Sequence, residues 1–249
     1  MEDGALSLLE VRGLSKRFGG LLAVEGLDLT MADGEMVGLI GPNGAGKTTV
    51  FNLLSGFLAP DAGEIRFRER RLGGLKPHDI CRLGLARTFQ IVRPFARLSV
   101  LDNVKVAALA RHPAMADALA AARAVLERVA LVDRASELAS SLTLADRKRL
   151  ELARALATEP TLLLLDEVMA GLNATEIEAM VRLIGAINAG GISVLLIEHN
   201  MRAVMSLSHR IIVLSFGEKI AEGTPRAVAA DRRVIEAYLG DEYVHPAAH

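Results

Sequence analysis

The stretch "MVGLIGPNGAGKTTVFNLLSGF", Met36 to Phe57, decides how the rest of the chain is read. It opens on a short apolar run that predicts a buried strand. It then passes through a glycine-rich loop and continues with apolar residues at helical spacing, with Gly56 as the stop. Within it, Gly41 to Thr48 fits G-x-x-x-x-G-K-[ST], the phosphate-binding loop. Each residue type has a reason. Glycines let backbone N–H groups curl around the β- and γ-phosphates, and the start of the following helix adds positive potential. Lys47 reaches the β/γ oxygens, and the Thr48 hydroxyl can ligate Mg²⁺. A glycine loop arising by chance has no reason to sit between a strand and a helix. The segment expected to bind ATP is therefore Gly41, Pro42, Asn43, Gly44, Ala45, Gly46, Lys47, Thr48 and Thr49.

A second stretch, "LLLLDEVMAGLN" from Leu162 to Asn173, answers to the first. Four consecutive leucines predict a strand buried on both faces, because a half-buried strand would alternate. Two carboxylates at its mouth are costly to desolvate unless a cation is near. With a phosphate loop in the same chain, that cation is Mg²⁺. Asp166 is expected to hold it through its water shell. Glu167 is expected to orient and deprotonate the attacking water, the plain alternative being a surface acid. His199 follows "SVLLIE" at the carboxyl end of another buried strand, where ligands of open α/β sheets bind. The remaining histidines, His78, His112, His209, His245 and His249, are expected to face solvent. Gln90, in "ARTFQIV", stands at the entry to a helical stretch and could reach both the metal and the γ-phosphate.

The rest of the chain supplies a frame. Its 249 residues suit one large α/β domain, or a core with a smaller insert. It is 51% hydrophobic, but no apolar run approaches the ~20 residues of a membrane span. The acidic start predicts no signal peptide, and "VHPAAH" at the end reads as a frayed tail. A single cysteine, Cys81, excludes an intrachain disulfide and suits a reducing compartment. The net charge of −1 argues against a dedicated nucleic-acid binder. "RFRERR", Arg66 to Arg71, reads as a solvated strand and turn. "LLEVRGLSKRF" and "LAVEGLDLTM" read as strands broken at Gly19-Gly20. From about residue 88 to 158 the pattern is helical, in "SVLDNVKVAALAR" and "MADALAAARAVLERVALV". Strands return at "TLLLLD", "SVLLIE" and "RIIVLS", so strands separated by helices predict a parallel sheet.

Together these residues resemble the ATP-binding subunits of ABC transporters, over nearly the whole chain. Gly41 to Thr48 matches the Walker A motif, Gln90 the Q-loop, Leu162 to Asp166 Walker B, Glu167 the catalytic glutamate and His199 the switch histidine. Phe18, in "KRFGG", matches the aromatic that stacks on adenine. The resemblance implies a P-loop NTPase (RecA-like) core, an N-terminal antiparallel β subdomain and an inserted α-helical subdomain. It implies one domain over 1–249, with 1–87 and 159–249 as the nucleotide-binding core and 88–158 as the helical signature subdomain. "RTFQIVRPFARLSVLDNV", "LELARALATEPTLLLLDE" and "KIAEGTP…VIEAYLG" look most like importers of branched-chain amino acids. The implied cofactors are ATP and Mg²⁺. The implied partners are a second ABC ATPase subunit, two membrane permease subunits and, indirectly, a solute-binding protein, with the chain peripheral on the cytoplasmic side of the plasma membrane.

Two departures stand out. The family signature L-S-G-G-Q is replaced by "LTLAD": Leu142, Thr143, Leu144, Ala145 and Asp146. Its "TLAD" still fits a capping box before "RKRLELARALA", so the helix N-terminus is expected to survive and aim its dipole at the partner subunit's phosphate. In "DEVMAGLN", Val168 replaces a proline and Asn173 an aspartate, though Asn173 remains a good N-cap for "ATEIEAMVRLI". The main expectation is an ATPase that drives a membrane importer. The alternatives are the ATPase of a lipid or lipopolysaccharide exporter, a weakly hydrolysing nucleotide-gated module, and a soluble ABC protein of repair or translation. The last of these usually shows two fused cassettes or long coiled-coil inserts, which this chain lacks.

Overall fold

Two sheets organise the computed structural model, which describes residues 7–89 and 94–239. The chain first forms β1 (Leu9–Phe18), β2 (Leu21–Met31), β3 (Met36–Ile40), α1 (Lys47–Leu54), β4 (Ala62–Phe67), β5 (Arg70–Arg71), α2 (Pro77–Leu83) and β6 (Leu85–Arg87). Three helices follow: α3 (Val100–Ala108), α4 (Met115–Arg128) and α5 (Leu144–Leu156). Then come β7 (Leu162–Asp166), α6 (Ala174–Ala189), β8 (Ser193–Ile197), α7 (Met201–Leu207), β9 (Arg210–Ser215), β10 (Glu218–Gly223), α8 (Pro225–Ala229) and α9 (Arg232–Leu239). One sheet is antiparallel, in the order β2-β1-β4-β5. The other runs β10-β9-β3-β8-β7-β6 and is parallel except where β10 turns back on β9.

Strand β7 shows why four leucines stand in a row. Leu163 and Leu165 pack into the core that contains Val104 of α3, Leu126 of α4, Leu150 of α5 and Ile184 of α6. Leu162 and Leu164 face the opposite way, into the core shared by Phe51 of α1 and Val11 and Leu29 of the antiparallel sheet. All four are fully buried, each worth about 1.5–3 kcal/mol on removal from water. Because β3, β8 and β7 lie side by side and parallel, their carboxyl ends share one edge. The loops after them, carrying Gly41, His199 and Glu167, therefore meet.

The α/β class expected from the sequence is the one observed. Among the short elements that escaped the sequence pattern are α2, opened by Pro77 and closed by Gly84 at φ 106°, and the three-residue β6 beside β7. Three residues are too few to show a period. The Arg66–Arg71 stretch is a hairpin in which Arg66 and Arg71 both pair with Glu64, and these arginines hold its carboxyl down to about 2. One histidine expectation needs correction. His112 is half-buried, with Nε2 2.8 Å from Glu159, because the chain after α3 folds against the end of α5. His209 is exposed, yet its Nδ1 accepts the Met36 N–H at 3.0 Å. His245 and His249 lie outside the described residues.

Candidate active site

The loop between β3 and α1 needs its glycines for space as well as for backbone angle. At Gly41, φ 153°, an added Cβ would sit 2.1 Å from the Leu214 carbonyl oxygen; at Gly46, φ 100°, one would sit 2.2 Å from that of Ala23. Gly46 is also the N-cap of α1, and no side chain caps this helix. Lys47 is buried, and its Nζ donates to the carbonyls of Gly41 (2.7 Å) and Pro42 (2.9 Å). Burial lowers its pKa, opposed by the negative charges of Glu167 and Asp166.

Glu167 is held in an unusual way. Its φ of 49° places a non-glycine residue in the left-handed region, a conformation costing about 1–3 kcal/mol. Contacts on several sides maintain it. Its N–H donates to the Ile197 carbonyl at 2.9 Å, and its own carbonyl accepts from Lys148 Nζ at 3.0 Å. Its Oε1 lies 3.0 Å from His199 Nε2. The next turn is fixed too, since the Met169 N–H donates to buried Glu198 at 2.7 Å. Burial pushes the Glu198 carboxyl above its ordinary range.

Asp166, 2% exposed, is bound on one side only. Arg87 Nη2 donates to its Oδ2 at 2.8 Å, and the Thr88 hydroxyl accepts its N–H at 3.2 Å. Its buried Oδ1 has no hydrogen-bond partner among the described residues. Those residues also hold no cluster of three or more His, Cys, Asp or Glu fit to cage a metal. One open carboxylate oxygen without a protein cage is the donor set of Mg²⁺, which binds one or two carboxylates together with substrate phosphates. The site fits that ion.

A 330 Å³ cavity joins the glycine-rich loop, Glu167 and His199, whereas Asp166 lines a second cavity beside it. Phe18, Asn43, Gly44, Lys47, Thr48, Glu167 and His199 line it, together with Phe216, which sequence reasoning did not single out. Phe216 sits on the β9–β10 turn at φ 46° and is 92% exposed. The neighbouring Gly217 N–H donates to Ala45 of the loop, so the turn is pinned beside it. A larger cavity of 690 Å³ lies beyond Thr48 and Asp166, lined by Phe57, Arg87, Phe89, Glu151 and Arg154 among others. Gln90 lies outside the described residues. None of Leu142, Thr143, Leu144, Ala145 and Asp146 lines the cavity that holds Lys47. Leu142, Ala145 and Asp146 are buried, whereas Thr143 and Leu144 are exposed. The Thr143 hydroxyl caps α5, accepting the Asp146 N–H at 3.2 Å. The capping box is complete in α6, between Asn173 and Glu176, but one-armed in α5. There the Asp146 carboxylate accepts a hydrogen bond from the Thr143 hydroxyl and faces Arg134 and Arg149 instead.

A glycine-rich loop opening a helix, an acid pair ending the next strand but one and a histidine between them define a P-loop nucleotide-binding α/β protein. Residues 24–170 match the ABC transporter family, and residues 218–244 match the branched-chain amino acid ATP-binding cassette transporter family. The chain belongs to the ABC transporter family. It is 45% identical to LivG of Salmonella typhimurium, a high-affinity branched-chain amino acid transport ATP-binding protein, over 94% of this chain and 98% of that protein. It is 34% identical to LptB of Escherichia coli, a lipopolysaccharide export system ATP-binding protein, over 96% of this chain and 99% of that one. Among solved structures, the ADP conformation of MJ1267, an ATP-binding cassette of an ABC transporter, superposes with a TM-score of 0.86 at 27% identity, covering 94% and 99% of the two chains.

Proposed function

We propose that this chain is the ATP-hydrolysing subunit of a membrane importer for branched-chain or related amino acids. The observation that carries the hydrolytic part is Glu167, forced into a left-handed conformation with its carboxylate 3.0 Å from His199 in the cavity that also holds Lys47. Lys47 would bind the β- and γ-phosphate oxygens, and the base would lie against Phe18, with Phe216 as a second aromatic wall. The Glu167 carboxylate takes the proton of the attacking water, and His199 Nε2 holds that carboxylate in place. Thr48, Asp166 and Gln90 would hold Mg²⁺, which when bound neutralises charge on the phosphate oxygens. The same pair speaks against a module that merely binds nucleotide.

The importer reading is supported by 45% identity to LivG against 34% to LptB. No helix among the described residues is long and apolar enough to cross a membrane, so transport needs permease subunits. The 690 Å³ groove suits them: exposed Phe57 and Phe89 stand in its wall, and Asp166 and Thr48 border it from the nucleotide side. Two permease subunits, served by a solute-binding protein, would thus hold the chain at the cytoplasmic face of the membrane. A second ATPase subunit, identical or similar, would meet exposed Thr143 and Leu144. In this reading, residues 88–158 act as the helical signature subdomain and the rest as the nucleotide-binding core. Proteoliposomes carrying the chain with its permease subunits should take up leucine when Mg·ATP is supplied on the chain's side. Uptake that proceeds equally without ATP, or none of any branched-chain amino acid, contradicts the reading.

A further inference from the structure

We propose that Arg87 is a positioning residue that ties the aromatic wall of the 690 Å³ groove to the carboxylate of Asp166, and that it sets how well this carboxylate holds Mg²⁺. The proposal rests on the functional reading above and adds a residue to it.

The Arg87 side chain is 6% exposed, and its guanidinium makes contacts on three sides. Toward the nucleotide, Nη2 donates to Asp166 Oδ2 at 2.8 Å, which leaves Oδ1 as the open oxygen. Toward α1, Nη1 donates to Asn52 Oδ1 at 2.6 Å and Ser55 Oγ at 3.2 Å. Toward the groove, the charge lies over two rings, 5.5 Å from the centroid of Phe51 and 5.3 Å from that of Phe89. Phe51 is fully buried and fixed, but Phe89 is 44% exposed and meets Phe57 edge-on at 5.6 Å. One of the two rings is thus anchored in the core, and the other is part of the groove wall. A planar fork with stacking faces fills these roles at once, as an ammonium cannot.

The consequence is directional. Whatever presses on Phe89 from the groove presses on the ring that the Arg87 charge lies over, and the same rigid group holds Asp166. Removal of Arg87 would leave Asp166 buried without its cation, so the test uses a replacement that keeps the charge.

The whole chain is studied as wild type, Arg87→Lys, Phe89→Ala and the double variant. Each is titrated with a fluorescent ATP analogue, first in excess EDTA and then in Mg²⁺. In EDTA all four should bind within about two-fold of one another, because Lys47 and Phe18 are untouched. The gain in affinity on adding Mg²⁺ should fall about ten-fold in Arg87→Lys, the usual scale for residues that orient a metal's ligand, and about three-fold in Phe89→Ala. The double variant should lose no more than Arg87→Lys alone, since both act through one guanidinium. Losses that multiply, a wild-type Mg²⁺ gain in Arg87→Lys, or an EDTA affinity that drops as far as the Mg²⁺ affinity would overturn the proposal. If Arg87→Lys has no cooperative melt, Phe89→Ala decides alone, and an unchanged Mg²⁺ gain there overturns it. A wild-type chain that binds nucleotide with no Mg²⁺ gain removes the metal role of Asp166 first, and this proposal with it.

Discussion

Helices α1 and α5 begin in opposite ways. The first turn of α1 is entered from Gly46 at φ 100°, with no side-chain cap. The first turn of α5 is entered from Thr143, whose hydroxyl takes the Asp146 N–H, with Arg134 and Arg149 gathered around the Asp146 carboxylate. A capped N-terminus is more stable by about 1 kcal/mol, so in the proposed function an uncapped one beside a buried lysine is an N-terminus kept open for an anion. The α5 terminus, by contrast, already satisfies itself within the chain. What it can offer a second subunit is its dipole and the exposed Leu144.

The comparison is broken most directly at Lys47. Lys47→Ala should abolish ATP hydrolysis and weaken nucleotide binding while the fold survives, since among the described residues the side chain's hydrogen bonds are to the Gly41 and Pro42 carbonyls. Phosphate release within a few-fold of wild type would remove the anion-binding role from the loop. A smaller effect is expected at α5. Thr143→Ala with Asp146→Ala should lower the melting temperature by about 2–4 °C, the loss of a roughly 1 kcal/mol cap in a chain of this size, and reduce turnover. Leu144→Gly should leave turnover at or above the wild-type rate, although Leu144 packs against the Gly171 turn. A silent double variant beside a strongly activated Leu144→Gly would show that the cap is not what matters there.

The smallest change concerns the turn after β7, which also satisfies itself. Glu198 accepts the Met169 N–H while burial raises its pKa. A carboxyl whose folded pKa lies above its unfolded value binds its proton more tightly when folded. Stability from this group is therefore greatest at acid pH and declines as pH rises through the raised value. Glu198→Gln keeps an acceptor for Met169 and removes the titration. Melting curves from pH 4 to 8 should show the variant gaining on the wild type as pH rises; a gap that shrinks with rising pH would reverse the assignment.

Much of the candidate site is legible in the sequence because its residues stand in contiguous motifs at strand ends. Gly41 to Thr48, Asp166, Glu167 and His199 each follow an apolar run that fixes where the side chain must emerge. Arg87, Lys148, Glu198 and Phe216 are not legible in the same way. Arg87 ends a strand of only three residues, and Lys148 is one cation among several in "DRKRLELAR". Glu198 reads as a neighbour of His199, and Phe216 lines the cavity on a turn that Gly217 pins to Ala45. These four depend on pairings between distant segments, which no local period records. One-armed capping at α5 escaped for the same reason: Arg134 arrives from outside the helix.

The central claim, that Glu167 activates water while the metal site stands apart on Asp166, is tested by a single pair of measurements on Glu167→Gln. The glutamine keeps the shape and leaves Asp166 charged, so Mg·ATP should bind with wild-type affinity. Steady-state phosphate release should fall by about 10²–10⁴-fold, the loss expected of a general base. Release near the wild-type rate with binding intact would contradict the account and return Glu167 to the status of a surface acid.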